Sequence, residues 1–480
     1  MIAQRFGIAR HLLKEWNIIP TEVVSCGFKY TCLFKDSGRA RQSREKCGLR
    51  SRGLFIFIWW SLFGWPLNSA VAQDTLPDPL TLDAALKFSE RMGSTSTALA
   101  SSEVAMAELE IERASGINPT SVYLSLVPRA AKRTGAANDD FINDSFARFS
   151  VNKVLYDFGR SRTLKSIADT ELTGQHKLLE LARHNHRLIV LERFLDVLLA
   201  DQRYEIDTEE MTISFLHYDR LRERRQLFDE VSEIEVAAAD AAYRRLLANR
   251  TESELQQQYT RLQLAIALGK PGDLPRDLLQ PDLSVWTDRE IPDYRENLET
   301  ALASNPKLLA LKDTLSAARQ HAENAGLDLG PRLLGGVELT EYATVRAARD
   351  DTRATVRLQI PLFNGKLKRI DQRQADIELL QAELEIMNVE NALRDELFQL
   401  VRNVIVLGRE LEAADSSEYY RDLYLDQSRT LYEMEVRTDL GDAQAKLLEA
   451  GWQVMRAEFG TAVTWAKIDM LSGKAFTYGE

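Results

Sequence analysis

Several things are scarce in this 480-residue chain, and each scarcity excludes something. The three cysteines, Cys26, Cys32 and Cys47, all lie near the N-terminus, which leaves no disulfide, thiol nucleophile or thiolate metal site for the rest of the chain. Proline is absent between Pro128 and Pro271 and again after Pro361, so nothing breaks a helix over two very long stretches. After Ala72 no apolar run reaches the roughly 20 residues of a membrane-spanning helix. Any bilayer crossing then falls to strands. Positive charge is in deficit, with 61 Lys/Arg against 72 Asp/Glu. The first 72 residues hold 11 and 4 of these, so the remainder carries 50 and 68, a net charge of −18. A chain so acidic is a poor partner for nucleic acid phosphates. Residue sets for catalysis are missing as well. His176, His184, His186, His217 and His321 are scattered, and His184 and His186 stand two apart, on different faces of a helix. No phosphate loop, nucleophile elbow or zinc spacing is present. The expectation is no enzyme, no cofactor and no metal, with any energy supplied by a partner.

What is present begins with a leader. Arg39, Arg41, Arg44, Lys46, Arg50 and Arg52 precede the apolar "LFIFIWWSLFGW" and then "AVA" at Ala70 to Ala72. That is the order of a secretory signal, basic then apolar then small. Residues 1–72 are expected to be removed after Ala72, with a natural start nearer Leu49. The alternative, an inner-membrane anchor, needs a longer run than Leu54 to Leu67. No cysteine follows Ala72 to carry a lipid.

Beyond the leader the chain says most things twice. "VNKVLYDFGRSR" from Val151 matches "LQIPLFNGKLKR" from Leu358, each running apolar residues into an aromatic, Asp or Asn, Gly and a basic stretch. "LTLDAALKFSE" from Leu80 matches "ENLETALASNP" from Glu296, Pro119 matches Pro331, and "RQLFDEVSEIEVAAADAA" from Arg225 matches "RTLYEMEVRTDLGDAQAK" from Arg429. "LAIALGK" ending at Lys270 matches "IDMLSGK" ending at Lys474. Five landmarks recur in one order, 204 to 216 residues apart, as a tandem duplication requires. The expected organisation is a first repeat over 73–270, a proline-rich linker over 271–292, a second repeat over 293–474 and a tail over 475–480. Each repeat reads as a helix, a β-hairpin and a long helical hairpin.

The proline-free stretches are rich in Leu, Ala, Glu, Arg and Gln, which favour helix. Helices are expected from Arg160 to about Leu227 and from Lys366 to about Ser428. Each would be roughly 95 Å long at 1.5 Å per residue, which suits a rod or a tube rather than a compact core. Ile377, Leu380, Leu384, Met387, Phe398, Val401 and Ile405 keep coiled-coil spacing, with Asn391 and Arg394 interrupting the seam. Breaks near Val231–Ser232 and Val436–Thr438 mark the tips, with Ser232 and Thr438 as N-caps of the returning helices. Before each long helix comes alternation. Ala354, Val356, Leu358 and Ile360 point one way, and Thr355, Arg357 and Gln359 the other. "FARFSVNK" and "LLGGVELT" alternate similarly, and "SVYLSLVPR" is the weakest of the four. A half-buried strand of a soluble sheet alternates identically, but here no other element is left to cover the apolar side, which points to membrane barrel strands.

Four strands cannot close a barrel, and lipid does not tolerate an open edge. Two copies would give a filled eight-strand barrel, and three a twelve-strand barrel with a lumen. The doubled landmarks, the "LTLDAAL" opening, Gly after the strand in "YDFG" and "FNG", and the broken helical hairpins resemble the TolC family of outer-membrane efflux proteins over about residues 80–474. The resemblance implies a mostly α fold with a β-barrel part. Tandem-duplicated long α-helical hairpins form a periplasmic α-barrel, and four strands per chain join a trimeric twelve-strand barrel in the outer membrane of a Gram-negative bacterium. It implies a homotrimer acting as a passive exit duct, docked by a periplasmic adaptor and an inner-membrane pump, in tripartite efflux or type I secretion. The competing reading is a periplasmic coiled-coil scaffold without a pore. On the resemblance, Gly159 and Gly365 allow the swivel from strand to helix, Ala354, Val356, Leu358 and Ile360 face lipid, and Arg357 and Gln359 face the lumen. Ser232, Thr438 and Glu435 belong to the hairpin tips. Glu435 and Asp229 stand where the family usually has Gly, a departure that bears on adaptor docking. Arg437 falls on the family's linking Arg of the closed gate and Glu235 on an acidic partner of that link. The family's constricting Asp pair falls on Gly441 and Gln444, with Asp439 and Asp442 close by as the acidic candidates.

Overall fold

A computed structural model describes residues 76–116, 120–132, 141–326, 330–344, 349–363, 365–434 and 440–474. The leader and tail expectations lie outside these residues, as do Glu435, Arg437, Thr438 and Asp439. The first helices are α1 (Leu82–Met92) and α2 (Thr95–Ser115). Thr81 caps α1 by accepting from the Ala84 N–H at 3.2 Å, and Ser94 with Thr97 forms a capping box on α2. Strands β1 (Ser121–Val127), β2 (Ala130–Lys132), β3 (Phe141–Asn143) and β4 (Phe146–Tyr156) follow. Next come the long helix α3 (Arg160–Phe228) and its return α4 (Glu233–Ala267). A short turn α5 (Ser284–Thr287) leads to α6 (Tyr294–Ser304), α7 (Pro306–Glu323), β5 (Arg332–Tyr342) and β6 (Thr352–Gln359), and the chain finishes with α8 (Leu367–Glu433) and α9 (Leu440–Leu471).

The two proline-free stretches hold the long helices, though the first opens with β2, β3 and β4, and α3 and α8 run for 69 and 67 residues. At 1.5 Å per residue each is about 100 Å long. No described helix is long and apolar enough to cross a membrane. The strands form one antiparallel sheet in the order β1-β4-β5-β6, with β2 and β3 pairing as a separate ribbon between β1 and β4.

The sequence landmarks meet in space. The "ALGK" end of α4 closes with Gly269 at φ 78° and the Lys270 N–H on the Ala265 carbonyl, 2.8 Å away. This end packs on the α1–α2 junction, where a Cβ on Gly269 would lie 3.3 Å from the Met92 Cβ. The "LSGK" end of α9 closes the same way, with Gly473 at φ 66° and the Lys474 N–H on the Asp469 carbonyl at 2.9 Å. It packs on the corresponding α6–α7 junction. There Asn305 caps α7 through the Leu308 N–H and donates its amide to the Leu471 carbonyl at 3.0 Å, while the Ser304 hydroxyl reaches the Ser472 carbonyl at 2.6 Å. The proline-rich stretch between the repeats is fastened too. Leu80 exchanges backbone bonds with Asp277 and Leu279, and Trp286 is buried.

The main core forms where the long helices cross these junctions. Phe194, Leu191 and Leu195 of α3 meet Leu397 of α8, Phe459 and Ile468 of α9, and Leu308 of α7. The α8 seam departs from the expectation. Of its seven expected residues only Val401 is buried, and Ile377, Leu380, Leu384, Met387, Phe398 and Ile405 are exposed. The stripe that enters the core is Val389, Leu393, Leu397, Leu400 and Val404. Both stripes keep spacings of three and four, so periodicity alone does not say which one meets the helix's own chain. The second hairpin is also set back from the first. Gly441, at the start of α9, packs against Ile213, 15 residues before the end of α3, an offset of about 22 Å.

Replacing Gly473 by Ala is expected to lower the thermal midpoint measurably. The residue sits at positive φ and an added Cβ would collide with the Ser304 backbone carbonyl, a strain of about 1–3 kcal/mol. Gly269→Ala, also at positive φ but with its added Cβ tight against Met92 at 3.3 Å rather than in collision with backbone, is expected to cost less in the same melts.

Candidate functional site

The site is the sheet and the two ends of the long helices. Opposed residues of an antiparallel pair share a face, so the register sorts every side chain. Val122, Leu124 and Leu126 of β1 stand opposite Val151, Phe149 and Ala147 of β4. Phe149 and Val151 in turn oppose Leu339 and Val337 of β5. Val337, Gly335 and Leu333 oppose Ala354, Val356 and Leu358 of β6. One mainly apolar face thus crosses all four strands, with Leu124 67%, Leu126 69% and Val356 73% exposed, and with Lys153 opposite Gly335 and Glu341 opposite Ala147 as its charged members. The other face is polar, with Ser121, Tyr123 and Ser125, then Arg148, Ser150 and Asn152, then Thr340, Glu338 and Arg332, and finally Arg353, Thr355, Arg357 and Gln359. Ala354, Val356 and Leu358 therefore lie on the apolar face, and Arg357 and Gln359 on the polar one. Ile360 falls one residue past the end of β6. The weak reading of β1 needs correcting. Its serines alternate with Val122, Leu124 and Leu126 in step with its neighbour, and only Tyr123 and Val127 on the polar side blur the pattern.

At the outer end of the sheet the two hairpins are clasped together. Asp144, nearly buried, is ion-paired to both Arg129 of the first hairpin and Arg349 of the second. Arg349 lies over the Tyr342 ring at 4.5 Å, Phe146 and Tyr342 pack at 5.9 Å, and the Ala343 N–H bonds to the Ser145 carbonyl at 2.9 Å. Nothing in the sequence pattern pointed to this cluster, since its members are 205 residues apart.

At the inner end strand becomes helix. Gly159 takes φ 99° and Gly365 φ 63°, and an added Cβ at either would touch nothing, so the demand there is conformational rather than steric. Phe158 also has positive φ, at 55°. Asp157, passed over in the sequence, accepts from the Ser161 N–H at 2.8 Å and the Gly159 N–H at 3.3 Å, and so supplies the partners the first turn of α3 needs.

At the first helical tip, Ser232 caps α4 and Glu235 completes the capping box, its Oε2 accepting from the Ser232 N–H at 2.9 Å and hydroxyl at 3.0 Å. Those bonds hold the Glu235 carboxyl below its ordinary pKa, the backbone N–H first and the hydroxyl second. Asp442 is ion-paired to Lys446 one turn along α9, which raises the lysine's pKa. The structure does not bring Glu235 and Asp442 together within one chain, because the start of α9 packs on Ile213 while Glu235 lies beyond the end of α3. Among the described residues no cluster of His, Cys, Asp and Glu has the arrangement of a metal site.

No protein-family model and no curated protein sequence matches the chain. Solved structures do. The chain is similar to the CmeC outer-membrane channel of Campylobacter jejuni, with TM-score 0.67 and 14% identity over 83% of this chain and 87% of that one. It is similar to the MtrE outer-membrane channel of Neisseria gonorrhoeae in its open state, with TM-score 0.64 and 14% identity over 82% and 89%. For the outer-membrane protein VceC of Vibrio cholerae the values are 0.63 and 15%, over 82% and 97%. The fold is that of the TolC-like outer-membrane channels. At such identities the likeness is one of architecture, and it extends over nearly all of each relative's length. The TolC-like fold accounts for the pairing of a small sheet with helices too long for any globular core.

The two faces make opposite demands. Leu358→Arg is expected to destabilise the membrane-inserted protein by about 2–4 kcal/mol, and Arg357→Leu to cost little. Chemical unfolding in lipid vesicles measures both, and equal costs would mean the faces had been assigned wrongly.

Proposed function

We propose that this chain forms a homotrimeric channel-tunnel in the outer membrane and serves as a passive exit duct for an energised efflux or secretion system. The observation that carries the reading is the sheet, with one mainly apolar and largely exposed face and, among the described residues, edges β1 and β6 left for other chains. Three such sheets close a twelve-strand barrel with β6 of one chain against β1 of the next, the apolar face toward lipid and the polar face toward a lumen. The helices α3, α4, α8 and α9 continue the wall into the periplasm. The exposed α8 stripe at Ile377, Leu380, Leu384 and Met387 then packs against neighbouring chains. A periplasmic scaffold without a pore leaves the sheet's apolar face unexplained.

The two repeats give each chain two tip regions for a periplasmic adaptor, with an inner-membrane pump supplying the energy. Gly159 and Gly365 act as the swivels. The closed tip is held by Arg437 against Glu235 of an adjacent hairpin, since the capping bonds of Glu235 use Oε2 and leave Oε1 for the arginine. A solvated pair contributes at most about 1 kcal/mol, so the gate depends on repetition around the ring. Asp439 or Asp442 sets a cation preference at that end.

Native mass spectrometry in detergent is expected to show a trimer, and a stable monomer alone would remove the reading. In planar bilayers Arg437→Ser is expected to raise conductance, and Asp442→Asn to weaken cation preference. Recordings of both variants that match the parent would eliminate the gate while leaving the duct.

A further inference from the structure

The polar face of the sheet carries a charge opposite to that of the chain as a whole. Its charged residues are Arg148 on β4, Arg332 and Glu338 on β5, and Arg353 and Arg357 on β6. Four arginines against one glutamate leave a net charge of +3, in a chain whose residues beyond Ala72 total −18. The arrangement concentrates the excess. Glu338 stands directly opposite Arg353, so those two charges answer each other across the ladder. Arg332 opposes Gln359 and Arg357 opposes Leu334, which sets the two arginines diagonally across β5 and β6 near the helical end of the strands. Arg148 sits toward the outer end, its guanidinium 5.0 Å from the Phe146 ring centroid and 3.4 Å from the Thr340 hydroxyl. The rest of the β1 and β4 polar face, Ser121, Tyr123, Ser125, Ser150 and Asn152, is uncharged and adds hydroxyl and amide groups. The acidic excess is carried by the helices and the connecting segments.

A low-dielectric wall lined with one sign of charge focuses the field and concentrates counter-ions. We infer that the barrel lumen is an anion-binding vestibule, selective for compact multivalent anions and for anionic groups on the cargo. In the trimer three copies of the face give a net charge of +9, set as two belts. An inner belt of Arg332 and Arg357 contributes six guanidiniums and an outer belt of Arg148 contributes three. Arginine suits the task, because its planar fork binds phosphate, sulfonate or carboxylate oxygens in pairs. The vestibule lies at the opposite end of the molecule from Asp442, so the two ends favour opposite charges.

The inference rests on the trimeric pore, and its test separates the two. The full chain is reconstituted in planar bilayers and hexacyanoferrate(II) is added to one side at a time. Block is expected from the barrel side at a concentration at least tenfold lower than from the helical side, weakening as KCl is raised and the charges are screened. Arg148→Gln combined with Arg357→Gln is expected to raise the half-blocking concentration at least tenfold, Arg357→Lys to retain most of the block, and Glu338→Gln to strengthen it. The last result distinguishes a charge effect from damage to the fold. Trimers that conduct but show no barrel-side block, or whose block is the same in the double variant and in Glu338→Gln, would overturn the vestibule and leave the duct standing. A preparation that forms neither trimers nor conductance would overturn both.

Discussion

In hydrocarbon every backbone N–H and C=O must be paired within the protein, because no water is there to replace a missing partner. The four-stranded sheet of this chain ends in β1 and β6, each with one side unpaired among the described residues. Its apolar face cannot turn to water and its edges cannot turn to lipid. In the proposed trimer both demands are met together, because other copies supply the missing strands. The rest of the molecule follows. In that trimer curvature places the arginine-bearing face inside, and the helices, which leave the sheet at a sharp turn, extend the wall.

The duplication makes this economical. Each repeat delivers one hairpin and one helical hairpin, and the returning helix ends with a left-handed glycine, Gly269 or Gly473, seated on the helix pair that opened the repeat. The repeats are then tied to each other. Trp452 of α9 donates its indole N–H to the Leu199 carbonyl of α3 at 3.0 Å, and Arg203 bridges Asp207 on its own helix and Glu449 on α9 at 2.7 and 2.8 Å. At the outer end the Asp144 pairs to Arg129 and Arg349 perform the same joining between the hairpins.

Charge is distributed as unevenly as hydrophobicity. Bulk composition reports an acidic chain, yet the sheet's polar face is basic, and an acidic residue near each helical tip is occupied locally, Glu235 with Ser232 at the first and Asp442 with Lys446 at the second. In the proposed duct a passing solute meets this basic face within the barrel. A net charge summed over the whole chain conceals that.

Much was legible in one dimension because it depends on local geometry. Long stretches without proline and rich in helix formers leave room for very long helices, a period of two near Arg357 reads as strand, and a doubled order of landmarks reads as two similar halves. Gly159, Gly365 and Ser232 were readable because positive φ and helix capping each favour few residue types. Other features only the tertiary structure decided. Two stripes on α8 share the same spacing, and which one enters the core depends on where α9 and α7 lie. The regular alternation of β1 emerged only once its register against β4 was known. Asp144 and Arg349 are 205 residues apart, and no periodicity relates them. Local conformation is set by each residue and its near neighbours. Which face is buried, and which charges share a surface, are set by contacts between segments distant in sequence.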